Sequence, residues 1–222
     1  MLNQMPFLDH VGASLRRNKS LQIVIAIIIA SGVIVAGWAG YSFYTYKKTQ
    51  KAHQVFVDCF AEFEKNMSAQ KGQARWDDVV RAFDIAYQRY GSSVFGPSFL
   101  AYKASALIYQ DKLEDAIPVM QKAVDALKHR SLLYPSYALK LALMKIDSSK
   151  QAVQQEGQAL LKSLADDDKN PQQDAALYYA GVQAMVRNDR VAAKDYFGKA
   201  VRVAPEHSAF KTIAQAKLDA VK

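Results

Sequence analysis

From Leu21 to Tyr44 the chain runs 24 residues without an Asp, Glu, Lys or Arg. As a helix this run extends about 36 Å at roughly 1.5 Å per residue, enough to cross a hydrocarbon core about 30 Å thick. Arg16, Arg17 and Lys19 precede it, and Lys47, Lys48 and Lys51 follow. Trp38, Tyr41, Phe43, Tyr44 and Tyr46 gather at its C-terminal end, as an interfacial aromatic belt does. A cleaved signal peptide has a shorter apolar region and a small-x-small cleavage site. Gly37-Trp38-Ala39 places a Trp inside such a site, and the apolar run before it is already too long, so an uncleaved anchor is expected. Cys59 lies well beyond the run and no lipobox is present. Gly32, Ala36 and Gly40 recur every fourth residue, a small-residue face on which another membrane helix can dock.

Orientation is less determined, because three cations lie on each side and the positive-inside rule is nearly silent. The short segment before the run is expected to stay in the cytoplasm while the larger part crosses. This divides the chain into a tail (1–20), a transmembrane helix (21–44) and a C-terminal domain (45–222). In the tail, Phe7, Leu8, Val11 and Leu15 recur at helical spacing, which fits either a short helix lying on the membrane surface or a disordered tail, since short isolated helices are marginal.

Beyond residue 46 the chain carries 26 basic and 20 acidic residues. Apolar residues recur there at helical spacing, Pro and Gly fall between the periodic stretches, and no stretch alternates with period two, so the fold class is all-α. Phe56, Cys59 or Phe60, Phe63 and Met67 make a first stripe, and Val79, Val80, Phe83, Ala86, Tyr87 and Tyr90 a second. Helix pairs follow at 99–110 with 113–129, at 135–146 with 150–165, and at 172–186 with 190–203, then a last helix at 206–221. Pro97 and Pro135 mark starts and Lys128-His129-Arg130 marks a stop. Pro118, near the first turn of its helix, is expected to be tolerated there or to cause a mild kink.

Ala104, Leu107, Ala116, Met120 and Ala123 are spaced 3, 9, 4 and 3 apart, and Gly181, Ala184, Ala193, Phe197 and Ala200 repeat those spacings 77 residues later. Leu100 and Leu177 precede the two sets and Pro205 closes the second. Small residues let two antiparallel helices approach to about 8–10 Å, and this small-and-large pattern is that of the tetratricopeptide repeat, an α-solenoid unit of about 34 residues. Residues 134–165 are a degenerate middle unit on that period, with Ala138 and Leu141 in phase and Ala152 and Ala159 as the small pair. The 55–90 pair is a weaker fourth unit. Stacked units present a concave face from their first helices. The phase places Ala101, Ser105, Ile108 and Tyr109 there in one unit, Leu139 and Leu143 in the middle one, and Tyr178, Val182 and Met185 in the last. Core packing is the competing reading for each of these residues.

Chemistry-bearing motifs are missing. His10, His53, His129 and His207 are scattered, and no metalloprotease, CxxC, phosphate-loop, dinucleotide or hydrolase-elbow string occurs. No enzymatic activity, metal or cofactor is therefore expected. Asp166-Asp167-Asp168 reads as a solvated loop, Cys59 as a packed thiol, and Asn66-Met67-Ser68 fits a glycosylation triplet of a kind common by chance. The cations are spread over many helices with no dense run interleaved with aromatics, so nucleic acid is not expected as a partner.

The order of tail, single span, helix pair and repeat units resembles the ancillary Sec-translocon subunit family, the YfgM-like single-span periplasmic proteins. The most specific stretches are Phe95-Gly96 with the apolar helix through Tyr109, then Asp111-Lys112-Leu113-Glu114-Asp115-Ala116, and Ser14-Leu15-Arg16-Arg17-Asn18-Lys19-Ser20-Leu21 before the span. The resemblance implies a single-pass protein of the bacterial inner membrane with its C-terminal domain in the periplasm. Its partners would be the Sec translocon, a membrane-anchored periplasmic chaperone and unfolded secretory chains. It carries no catalytic residue. Another membrane-anchored tetratricopeptide receptor or assembly scaffold, of import-receptor or cytochrome-maturation type, remains the alternative.

Overall fold

The computed structural model describes residues 19–70, 73–127 and 131–221, with the side chains of 19–33 excepted. The expected tail, the side chains of most of the apolar run (Gly32 among them) and the Lys128–Arg130 stop lie outside the described residues. Among the described residues there are nine helices and no strand. They are α1 (Lys19–Ser68), α2 (Trp76–Tyr90), α3 (Gly96–Ile108), α4 (Leu113–Ala126), α5 (Tyr134–Ile146), α6 (Gln151–Asp166), α7 (Gln173–Val186), α8 (Arg190–Val203) and α9 (Ala209–Ala220). Where the sequence places helix ends from residue 99 onward, the observed ends among the described residues fall within three residues.

The chain divides into two units, residues 1–51 and 52–222. In the first, the described apolar side chains of α1 have no cover: Ile34, Val35, Trp38, Tyr41, Phe43, Tyr44 and Tyr46 are each 60–71% exposed. A Cβ added at Gly37 or Gly40 would meet nothing within 4 Å. No helix is long and apolar enough to cross a membrane among the described residues, which do not include the side chains of 19–33.

The second unit is a sequential, solenoid-like stack. Each helix from α2 onward packs on the next, most closely α3 on α4, α5 on α6 and α7 on α8, and α9 lies on both α8 and α7. Every second helix of a pair buries the same row of three positions. The rows are Val79, Phe83 and Ala86 in α2, Ala116, Met120 and Ala123 in α4, Gly157, Leu161 and Leu164 in α6, and Ala193, Phe197 and Ala200 in α8. Steps of four and three residues put each row on one helix face. The small-residue argument holds where it can be tested most sharply: a Cβ on Gly181 would stand 2.6 Å from the Phe197 ring.

The middle unit corrects two expectations. Ala152 and Ala159 are exposed, and the small residue is Gly157, whose added Cβ would meet the Ile146 nitrogen at 2.7 Å and the Ala142 oxygen at 2.8 Å. The period is also not 34. Ser93, Ser131, Asn170 and Ser208 each stand at the start of a first helix and make the same turn. In each, the side-chain oxygen accepts from the backbone N–H two residues on, and the carbonyl from the N–H three residues on. These anchors are 38, 39 and 38 residues apart. On this register Ala142, fully buried, stands where Ala104 and Gly181 stand, and the 77-residue offset is two periods rather than a multiple of 34.

The other connections explain why only the middle hairpin hides its pattern. Asp111 and Asn188, two periods apart, both adopt left-handed backbone (φ 58° and 60°). The next residue's N–H closes each helix end, Lys112 on the Leu107 carbonyl and Asp189 on that of Ala184, both at 2.9 Å. This is a Schellman-type stop. The middle turn has no such residue. There the Glu114 carboxylate, from the preceding hairpin, accepts from Ser148 Oγ (2.8 Å), Ser149 N (2.9 Å) and Ser149 Oγ (3.0 Å), which holds its pKa below the usual carboxylate value. Gly157 is the seventh residue of α6, whereas Ala116 and Ala193 are the fourth of α4 and α8. Pro118, the sixth residue of α4, sits past the first turn, and the helix continues through it with the ring exposed.

Candidate protein-binding face

The first helices bring the expected face residues into matching places. On the 38–39 register Ala101, Leu139 and Tyr178 are equivalent, as are Ser105, Leu143 and Val182. Ile108 and Met185 flank Ile146 in the same way. Their cover is not uniform. Ala101, Ser105 and Leu139 are buried, so in this conformation they pack between helices and offer nothing to a partner. Ile108, Leu143, Tyr178 and Val182 are half-buried against the main core, while Met185 is 37% exposed. The accessible part of the face therefore lies toward α7.

Two interactions close the N-terminal part. The Lys140 ammonium from α5 reaches across to the Ser105 hydroxyl at 2.5 Å, and the Tyr137 hydroxyl donates to Ser98 Oγ at 3.1 Å. Ser105 in turn donates to the Ala101 carbonyl at 2.8 Å. Burial pushes the Lys140 pKa down and that of Tyr137 up. Tyr109 is half exposed, yet its ring stacks on Trp76 at 4.4 Å and 7° and lies 5.9 Å from Phe63. It belongs to an aromatic layer with Phe56, Phe60, Phe83, Phe99 and Tyr102 rather than to an open groove. Of the first sequence stripe, Cys59 and Phe63 are buried, but Met67 is exposed. At the far end Tyr178 packs on Phe197 and on Phe210 of α9.

The packing residues occupy the interior. Ala104, Ala116, Ala123, Ala193, Phe197 and Ala200 are fully buried and Gly181 is buried with them; Pro205 is exposed in the turn that follows α8. Of the small-residue face on α1, Ala36 is exposed and Gly40 open, while the side chain of Gly32 lies outside the described residues.

A second concavity, about 300 Å³, lies between α6, α7 and α8 and is lined by Gln155, Gln158, Lys162, Gln183, Arg187 and Tyr196 among others. Ala159, Leu161 and Ala180 complete its lining. No cluster of three potential metal ligands occurs among the described residues. Asp166 pairs with Lys162 at 3.4 Å, and Asp167 caps its own turn through the Lys169 N–H. Asn66 is buried, donating to the Glu62 carbonyl and accepting from Arg75 N, so it fastens the α1–α2 connection. Desolvation, with Asp58 nearby, raises the Cys59 thiol pKa, which makes it a poor nucleophile.

The recurring Ser and Asn turn anchors and the Gly157 contact were not read from the sequence. Ser93 and Ser131 each lie four residues before a Pro, at 97 and 135, and that spacing was available as a signal. Compared with family models, with curated proteins and with solved structures, the chain finds no match.

Proposed function

We propose that this protein is a non-enzymatic, membrane-tethered scaffold that binds other proteins, an ancillary subunit of the Sec translocon acting with a membrane-anchored periplasmic chaperone on emerging secretory chains. The hairpins are tetratricopeptide-like units lengthened to 38–39 residues. The segment 21–44 is the span, set in the bacterial inner membrane with the tail in the cytoplasm and the hairpins in the periplasm.

The observation that carries this reading is the pairing of a charge-free helical segment whose described side chains are uncovered with a helical stack that buries its own apolar residues. A helix apolar all round suits lipid rather than water. Tethering the stack raises the effective concentration of its binding face for partners at the membrane. Tyr178, Val182 and Met185 suit a binding face for apolar segments of unfolded chains, because Tyr offers rigid area with a polar tip and Met adapts its shape.

Photocrosslinking from position 185 in living cells tests the partner. The expected products are secretory chains and a membrane-anchored chaperone; crosslinks from Gly32 should reach translocon helices. Crosslinks confined to respiratory-assembly or import components would replace the translocon reading with the assembly-scaffold one, and recovery of no partner from either position would overturn both.

A further inference from the structure

We infer that the second unit rests on the bilayer interface through the tips of its α2–α3 and α4–α5 connections, so that the N-terminal end of the stack lies against lipid and the α6–α7 connection stands off. This rests on the reading of 21–44 as a span.

The turns that close the two connections, each leading into the next helix, are alike. Ser93-Val94-Phe95 and Ser131-Leu132-Leu133 lie 38 residues apart, with the Phe95 and Leu133 N–H groups both 3.3 Å from the respective Ser Oγ. Each turn aims its middle residue outward, Val94 at 71% and Leu132 at 90% exposure. They flank one shared hollow of about 500 Å³ lined by Ser93, Val94, Pro97, Leu127 and Ser131. Large aliphatic side chains held out in water by ordered turns forgo the gain that burial would bring.

The occupant follows from the chain path. The unit begins at Ala52, which is buried, and the adjacent His53 ring lies 5.3 Å from Phe95. The stack is therefore fed from the side that carries Val94. Seven residues, 45–51, separate Ala52 from the end of the charge-free run, and even fully extended they reach only about 25 Å. Whatever path those residues take, Val94 is leashed to the membrane surface. Lys47, Lys48 and Lys51 in the leash and exposed Arg89 in the last turn of α2 match an anionic headgroup layer. One acid, Asp125, lies near the second tip and is bonded by Gln121 Nε2. Farther along the stack the pattern inverts. The third turn carries Pro171 in place of Leu132 and is preceded by Asp166, Asp167 and Asp168, all exposed. Along this row of turns, apolar tips near the leash and carboxylates beyond them are what a surface lying on anionic lipid at one end requires; the exposed Val186 and Val191 flank the α7–α8 connection instead.

The test uses the full chain in phosphatidylglycerol-containing nanodiscs whose acyl chains are brominated. In a Cys59→Ala background, Val94→Cys, Leu132→Cys and Asp168→Cys carry an environment-sensitive fluorophore. The expected result is a blue shift and loss of emission at 94 and 132, with neither at 168. Trp38 emission, isolated by Trp76→Phe, reports the span separately and should also be quenched. Quenching of Trp38 without quenching at 94 or 132 overturns this inference and leaves the span standing. Equal quenching at 94, 132 and 168 overturns the one-ended orientation. An unquenched Trp38 removes the span and this inference with it.

Discussion

Two stretches of α-helix in this chain treat the same kind of side chain in opposite ways. Along Ile34–Tyr46 the large apolar side chains point out of the helix and are mostly uncovered. In α2 to α9 comparable residues fill fully buried rows, and the closest approaches leave no room for a single added carbon. Half of the residues are hydrophobic, and that figure describes neither stretch. The described side chains of the first stretch find no cover, while the helices of the second gain their stability from packing against each other.

The comparison breaks first in the stack. Phe197→Ala, at the centre of the α7–α8 contact, should cost about 3–5 kcal/mol and is measured by denaturant unfolding of the full chain in detergent; a cost under about 1 kcal/mol would mean that the row does not hold the hairpins together. In the other region, Ile34→Arg should leave that unfolding curve unchanged but weaken membrane insertion by up to about 2.5–3.5 kcal/mol, read as the membrane-bound fraction in a translocation assay. Destabilisation of the hairpins by this change would contradict the separation of the two regions.

Two glycines sharpen the picture at smaller scale. Gly157→Ala forces a carbon into the backbone of α5 and should destabilise by about 1–3 kcal/mol. Gly198→Ala, in the same kind of helix but with nothing within 4 Å of the added carbon, should stabilise by about 0.5–1 kcal/mol. Opposite signs for one substitution, in thermal melts, identify which helix faces are in close contact.

The smallest effect is electrostatic. Glu114 has a lowered folded pKa through its bonds to Ser148 and Ser149. Its contribution is therefore present above the unfolded carboxylate pKa and is lost as pH falls through the folded one. Glu114→Gln should lower stability slightly at neutral pH and flatten the acid limb of a stability–pH profile below about pH 4.5, so that the two profiles converge in acid.

Much of the stack was legible in the sequence because its determinants are local and periodic. The 3-9-4-3 spacing of Ala104 to Ala123 recurs at Gly181 to Ala200, and those residues occupy equivalent buried places. The middle hairpin was misread for a definite reason. Its phase is set by a turn bonded to Glu114, 34 residues upstream of Ser148, and its small residue sits three places deeper in α6. A side-chain bond between hairpins leaves no periodic trace in either one. The residues proposed for the binding face fall at matching register positions, but which of them are open was not legible. Lys140 and the Trp76–Tyr109 stack, both remote in sequence, decide that.

The central claim is that residues 21–44 separate two aqueous compartments and the hairpins lie on the far side. Single cysteines in the Cys59→Ala background, at Asn3, Ile34 and Asp168, test it with a membrane-impermeant maleimide on intact bacterial spheroplasts. The account predicts labelling of Asp168→Cys in intact spheroplasts, of Asn3→Cys only after lysis, and of Ile34→Cys in neither condition. Labelling of Ile34→Cys from water, or of Asp168→Cys only after lysis, would contradict it.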